Sequence, residues 1–535
     1  MDVRYPRTLP GLFDRAFRKY ADRTAIVDGQ RSLTVSELDE RSMALAAGLA
    51  ARGVDLGDRV GILLANGAAY PVVDAGVTRA GATRVPLNPQ FTATELTFLL
   101  DDAGAGTVIC DAPRVDELAT AAADGAPLER VIVVGTGANA DAALPDGDVE
   151  WLRYGDVIDG HADATTLPTP APDDDAAQFY TGGTTGDPKG VYYSHRCLVA
   201  NLTAVIAEFG FGGRDAGILV PPLSHSAGTF CHAAILAGGT VHLRDGFDPD
   251  AVLSTVADED VTWTFLVPTM LYRLLDGDRD LAPLSSLDRI LYGAAPIRTD
   301  RLREAIDRIG PIFHQFYGQT EVPNLITSLP PQEHARAHEA GDVDRLASAG
   351  TACLRATVTV RDRETGERLP PGEAGEVVVA APYAFDGYHE RPEETAAVCR
   401  DGWVHTGDVG VLDGDGYLTL LDRESGVIVT GGMNVYGQTV ERAVRAHPAI
   451  DDVVIVGVPH DEWGEAVHAV VVPSDAADRE PTIEDLDAFL EGRLAGYKQP
   501  KSLTVVDSLP MTALGKRDRA SVRERFWDDA DRSVQ

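Results

Sequence analysis

Residues 179–191 read FYTGGTTGDPKGV, in which Gly182, Gly183 and Gly186 alternate with the hydroxyls of Thr181, Thr184 and Thr185 ahead of Lys189. Glycines let backbone N–H groups approach anionic oxygens, threonines add donors, and a closing lysine supplies the charge that a polyphosphate needs. The stretch therefore reads as a phosphate cradle. It is not a Walker loop, which requires a glycine directly before its lysine, whereas Pro188 precedes Lys189 and Gly190 follows it. A Gly/Thr surface loop without a ligand is the competing reading.

With 535 residues the chain exceeds one ordinary core, so at least two domains are expected. The formal net charge of −36 argues against nucleic acid or an anionic membrane as partner, because so acidic a surface repels phosphates. Lysine occurs only at Lys19, Lys189, Lys498, Lys501 and Lys516, which makes each position informative. Cys110, Cys197, Cys231, Cys353 and Cys399 are scattered with no Cys-x-x-Cys pair. Neither a disulfide framework nor a zinc site is signalled, and a reducing cytoplasm is expected. The opening MDVRYPRTLPGLFDRAF has no apolar core of signal-peptide length. No run approaches the roughly 18–20 apolar residues of a membrane span, so integral membrane contact is not expected.

Upstream of the loop, strand-like and helix-like segments alternate: strands near Thr24–Val27, Arg59–Leu64, Thr83–Pro86 and Thr107–Cys110, with helices over Ser36–Arg52, Ala69–Ala80 and Thr92–Ala103. Such alternation implies crossover units and largely parallel sheets. From Thr136 to Pro172 the composition turns to Ala, Asp, Gly, Thr and Pro, which reads as a surface connection. Downstream, Ser194 is a helix cap, and strands follow near Ala216–Val220, Thr240–Leu243, Trp263–Val267 and Arg289–Tyr292. The fold class is α/β: two α/β sheets in series, then a small β-barrel-like subdomain beyond Ser348, then a smaller α+β domain. The boundary is placed at Asp422/Arg423, giving domains 1–422 and 423–535.

Further motifs follow in order: Pro221-Pro-Leu-Ser-His225-Ser-Ala-Gly228, Tyr292-Gly293-Ala294-Ala295-Pro296, Gln315-Phe316-Tyr317-Gly318-Gln-Thr320-Glu321, Trp403-Val-His-Thr-Gly-Asp408, the run from Arg423 through Gly431-Gly432 to Tyr436, and Leu509-Pro-Met-Thr-Ala-Leu-Gly-Lys516. With the phosphate loop they resemble the AMP-forming acyl-CoA synthetases, the adenylate-forming superfamily that includes luciferases and peptide-synthetase adenylation domains. The resemblance runs over most of the chain.

It implies that a substrate carboxylate attacks the α-phosphorus of Mg·ATP to give an acyl adenylate and pyrophosphate, after which the thiol of coenzyme A displaces AMP. The alternative acceptor is a carrier-protein thiol or another small nucleophile. By the same resemblance Thr181–Gly186 and Lys189 hold the pyrophosphate, Thr184 joins the catalytic set, and His225 lies beside the acyl group in a positional role. Gly293–Ala295 and Gln315–Gly318 line the nucleotide, with Tyr317 packed on adenine. Thr320 bonds the phosphate, and Glu321 helps hold Mg²⁺, a cation that prefers hard oxygen ligands. Asp408 takes the ribose hydroxyls, Arg423 reaches ribose or phosphate, Gly431 and Gly432 line the thiol channel, and Lys516 is the catalytic lysine.

The resemblance also puts the acyl pocket among Trp263–Thr269, Tyr292–Ala295 and Val322–Leu325, which suits a medium-sized apolar or aryl acid. A homodimer is the candidate assembly. Three departures stand out: Ser224 where relatives often carry an aromatic residue, Gly182 for a frequent serine, and Ser425-Gly426 where charged residues usually follow the hinge arginine.

Overall fold

The computed structural model describes residues 5–29, 31–135, 144–160, 167–181, 188–277, 279–423, 426–430, 433–460, 463–475, 477, 479–491, 493–494, 496–512 and 517–532. Gly182, Gly183, Thr184, Thr185, Gly186, Ser425, Gly431, Gly432 and Lys516 lie outside the described residues. The described chain forms two compact units. The larger holds residues up to Thr181, Pro188–Val358 and Val379–Val404, and the smaller holds Thr359–Val378 and residues from His405 onward.

Two sheets organise the larger unit. In the first, six strands run parallel in the order Phe313–Tyr317, Arg289–Gly293, Trp263–Leu266, Ala216–Leu219, Thr240–Leu243 and Thr24–Asp28. Antiparallel strands close both edges: Thr327–Leu329 and Thr351–Ala352 on one side, Arg31–Thr34 on the other. In the second, Glu150–Arg153, Arg130–Val134, Thr107–Asp111, Arg59–Leu63, Thr83–Pro86 and Asp175–Tyr180 are parallel, and Gly190–Ser194 and Gly387–Tyr388 add antiparallel strands.

The alternating pattern thus produced the expected parallel sheets, with two differences. The sheets are interleaved rather than strictly in series, because Thr24–Asp28 pairs with Thr240–Leu243. The tract read as a plain connection contains the edge strand Glu150–Arg153 and the short helix Tyr154–Ile158. A strand at a sheet edge needs few apolar residues, so its pattern is weak.

Local signals agree with the elements they start. Ser194 caps the helix His195–Phe209 by accepting from Cys197 N, and Thr92 with Glu95 forms a capping box. Apolar side chains from Leu266, Ile290, Tyr292 and Phe313 pack with Leu271, Leu302 and Ile306 to form one core of the larger unit.

A five-stranded sheet contains Thr357–Arg361, Ala374–Ala380, Trp403–Leu412 and Cys399–Arg400, with Leu418–Arg423 paired to Trp403–Leu412. A second, within the smaller unit, contains Met433–Tyr436, Val427–Thr430, Gly464–Pro473, Ile450–His460 and Ser502–Val505. Its core gathers Val440, Val444, Ile455, Val467 and Leu486. Among the described residues no helix is long and apolar enough to cross a membrane.

Several histidines are held neutral inside this framework. Burial lowers His314 to about 3, and His334 to about 4, where Nε2 accepts from the Tyr292 hydroxyl at 2.8 Å. Above the unfolded value near 6.5 both states are neutral, whereas between about 6.5 and 4 only the unfolded chain takes the proton, so stability falls with pH across that window. A single such histidine should cost about 2 kcal/mol at pH 5. Thermal midpoints measured from pH 7.5 to 5 should fall, and His314→Phe should make the fall shallower; an unchanged slope would contradict this assignment.

Candidate active site

The hairpin Asp175–Tyr180/Gly190–Ser194 carries the two sides of the phosphate loop, with Tyr180 opposite Gly190. Its neck is closed by Thr181 N–H donating to the Lys189 carbonyl at 3.1 Å and Lys189 N–H donating to Thr181 Oγ1 at 3.2 Å. A Cβ at Gly190 would stand 2.3 Å from Nε2 of the buried Gln178, so a larger residue there must displace that side chain.

The Lys189 ammonium pairs with Glu394 and lies 5.2 Å from the ring centroid of Tyr388. The Tyr388 hydroxyl in turn donates to Glu321 Oε1 at 2.7 Å. Backbone atoms of this corner are tied as well: the Tyr193 hydroxyl donates to the Thr320 carbonyl, and Phe385 N–H donates to the Glu321 carbonyl at 2.8 Å. A polar chain braces the hairpin from behind. Arg391 bonds Asp102 at 2.7 Å, and Asp102 accepts from Tyr180 at 2.9 Å, one residue before the loop.

Gly293–Ala295 and Tyr317–Thr320 follow the C-terminal ends of adjacent parallel strands, the usual ligand side of such sheets. Both turns are tightly drawn. Ala294 and Asn324 have φ of 64° and 65°, a left-handed conformation costly for non-glycine residues and enriched at functional sites. A Cβ at Gly293 would lie 2.4 Å from the Phe316 carbonyl oxygen, and one at Gly318 would lie 2.5 Å from Asn324 N. Gln315 Oε1 is buried without a hydrogen-bond partner among the described residues.

His225 precedes the helix Ser226–Leu236 and lies 3.4 Å from Asn88 Nδ2 through its Nε2. Asn66 braces the same segment: its side chain donates to the Val220 and Pro221 carbonyls and accepts from Leu223 N–H.

The strands Trp403–Leu412 and Leu418–Arg423 place Asp408 directly opposite Arg423, both in the smaller unit. Asp408 is 6% exposed, and its N–H donates to Thr406 Oγ1 at 3.1 Å. The intervening turn is held by Asp413 Oδ1, which accepts from the N–H groups of Asp415 and Tyr417. The spacing that separates the two residues in sequence is thus one hairpin, and it makes them neighbours.

The family model of the AMP-binding enzymes matches residues 13–389, and that of the AMP-binding enzyme C-terminal domain matches 439–516. The chain belongs to the AMP-binding enzyme family. A medium/long-chain-fatty-acid–CoA ligase of Mycobacterium tuberculosis is 37% identical over 97% of this chain and 90% of its own. A feruloyl-CoA synthase of an Amycolatopsis species is 39% identical over 96% of this chain and 98% of its own. Among solved structures, ATP-bound MatB from Rhodopseudomonas palustris superposes with a TM-score of 0.86 at 32% identity, covering 97% of this chain and 99% of that one.

In this AMP-binding enzyme the larger unit brings Thr181, Lys189, Thr320 and Glu321 to one corner, joined through Tyr388 and Tyr193. Gly293–Ala295 and Gln315–Gly318 lie side by side at the strand ends. Part of the expected acyl pocket is corrected. Trp263 packs on Gly217 and edge-on to Phe211, while Tyr292, Val322 and Leu325 are fully buried. These side chains fill the core, and only Val267, Thr269, Ala294, Ala295 and Pro323 of those segments keep accessible surface.

Sequence reading missed Tyr388, Arg391, Glu394, Asp102, Asn66 and Asn88. The dense run of ionic and aromatic residues in Gly387-Tyr-His-Glu-Arg-Pro-Glu-Glu394 was the available signal.

Next to the proposed hinge, Asp422 is buried and bonds Arg519 at 2.8 Å, and Arg519 reaches Glu441 at 2.6 Å. Gly426 is needed there for space rather than backbone freedom, since a Cβ would lie 2.7 Å from Asp422 Oδ1. Arg519→Met leaves two buried carboxylates without their counter-charge and should destabilise the smaller unit by about 3 kcal/mol. Urea midpoints report this, and an unaltered midpoint would contradict a structural role for the triad.

Proposed function

We infer that this AMP-binding enzyme joins a carboxylic acid to the thiol of coenzyme A. A carboxylate oxygen attacks the α-phosphorus of ATP as the bond to pyrophosphate breaks. The thiol sulfur then attacks the acyl carbon, the bond to AMP breaks, and the thiol proton is released. The observation that carries this reading is the near-full-length match to acid–CoA ligases, combined with a corner in which Tyr388 touches both an ammonium, Lys189, and a carboxylate, Glu321.

Each group has a physical task. Lys189 takes charge on the departing pyrophosphate, and the neck at Thr181 fixes the loop that cradles it. Glu321 fits a magnesium site: it is a hard oxygen donor, and Tyr388 makes its side-chain hydrogen bond among the described residues. No cluster of three or more ligands forms there among the described residues, in keeping with magnesium sites completed by substrate phosphates and water. When bound, the cation neutralises phosphate charge.

Thr184 is placed in the catalytic loop, and Lys516 bridges the substrate carboxylate and the α-phosphate. Asp408 and Arg423 serve the ribose, and Tyr317 packs on adenine. His225 orients the acyl end, and Gly431 and Gly432 line the thiol path. The pivot between the two steps is placed at Asp422/Arg423.

A medium-chain or aryl acid is the substrate class we assign. The fatty-acid and feruloyl preferences named for the relatives support it, as do the small and apolar residues exposed after the strands. The absence of a long apolar helix among the described residues and the unpaired cysteines support a cytoplasmic setting.

A panel of fatty and aryl acids, assayed for pyrophosphate release and for acyl products with coenzyme A, a carrier-protein thiol and amines, tests the assignment. Thioester of coenzyme A should dominate; amide or carrier-bound product would replace the acceptor. Lys516→Ala should abolish pyrophosphate release while a supplied acyl adenylate is still converted to thioester, and equal loss of both steps would refute that division.

A further inference from the structure

The two charged groups at the phosphate corner are opposite in sign, yet among the described residues they are not paired with each other. Glu321 accepts from Tyr388, while Lys189 is held by Glu394 and the face of the same tyrosine. We propose that Tyr388 is a positioning residue for the divalent cation and the triphosphate together: its hydroxyl aims the Glu321 carboxylate, and its ring steadies Lys189. The inference rests on the reading of Glu321 as the metal-side carboxylate.

The tyrosine is itself held on several sides. Its strand, Gly387–Tyr388, is antiparallel to the strand that leaves the phosphate loop, with Tyr388 opposite Val191. Its N–H donates to Thr395 Oγ1 at 2.9 Å, the next residue's N–H donates to the Gly190 carbonyl at 2.8 Å, and its ring meets Phe385 edge-on at 5.0 Å. At 6% exposure the side chain has little room to turn.

A phenol hydroxyl is protonated near neutral pH and can donate to a carboxylate. A donor on one carboxylate oxygen leaves the other oxygen to face a cation, and fixes the plane of the group. A tyrosine that merely filled the core would be replaced by phenylalanine without consequence for the metal.

The test uses the full chain and equilibrium ATP binding by calorimetry at graded Mg²⁺, with no acid or thiol present, so that no turnover is read. In Tyr388→Phe the Mg²⁺ concentration that half-maximally enhances ATP affinity should rise about tenfold, the lower range for loss of an outer partner of a metal ligand. ATP affinity at saturating Mg²⁺ should be retained, since the ring remains over Lys189. Ligand-free melting should fall modestly, through the one hydrogen bond lost, with a single cooperative transition retained. Tyr388→Leu, which also removes the ring, should weaken ATP even at saturating Mg²⁺.

Glu321→Gln is the control. If it shifts the Mg²⁺ midpoint and Tyr388→Phe does not, the positioning role is overturned while Glu321 keeps its assignment. If Glu321→Gln leaves the midpoint in place, the assignment of Glu321 fails and the inference falls with it.

Discussion

A site for a magnesium–polyphosphate complex must hold an ammonium and a carboxylate close together without letting them neutralise each other. In the site proposed for it in this chain, Lys189 and Glu321 are kept apart by intermediaries: Tyr388 donates to Glu321, and Glu394 takes the Lys189 ammonium. A hydrogen bond to a charged group stabilises by about 1.5–3 kcal/mol, and a partly exposed cation over a ring by roughly 0.5–1 kcal/mol. Both contacts are therefore strong enough to fix the rotamers of Glu321 and Lys189. The rest of the corner serves to keep those intermediaries in place.

That service comes from the way the second sheet ends. Parallel strands bring the chain to one edge, and two antiparallel strands then fold back, so the loop between Thr181 and Lys189 is clamped by its own hairpin. Arg391, Asp102 and Tyr180 anchor the hairpin to the helix Ala93–Ala103. The first sheet contributes strained turns at Ala294 and Asn324. A left-handed alanine is retained only where neighbours over-determine it, here by the close approach of Gly293 to Phe316. Asp408 and Arg423, by contrast, owe their proximity to simple hairpin register in another sheet.

Much of this was legible in the sequence because parallel strands carry compact apolar runs and the loops between them carry glycine and hydroxyl residues. The strand Thr107–Asp111 and the helix at Ser194 are read directly from such patterns. Asp413-Gly-Asp-Gly416 is a turn composition in the sequence, although its effect of setting Asp408 against Arg423 depends on the strands around it. Partner choice is not local, so nothing near Thr24 says that this strand joins residues 240–243. Trp263 and Tyr292 looked like pocket residues because apolar side chains near a motif read alike whether they face a ligand or a core. Tyr388 escaped for a related reason: its partner Glu321 is 67 residues away, and one tyrosine after a glycine has no periodicity to betray it.

In the reaction proposed for this chain, the substrate's own carboxylate is the nucleophile toward the α-phosphorus, and pyrophosphate leaves. The most direct measurement is the fate of ¹⁸O in a carboxylate-labelled acid that the enzyme accepts, followed by mass spectrometry of the nucleotide product. One ¹⁸O atom should appear in the phosphate of AMP, because the acyl–oxygen bond is broken by the thiol. Label in orthophosphate or pyrophosphate, or AMP free of label while thioester accumulates, would contradict an acyl adenylate and with it the chemistry assigned to this site.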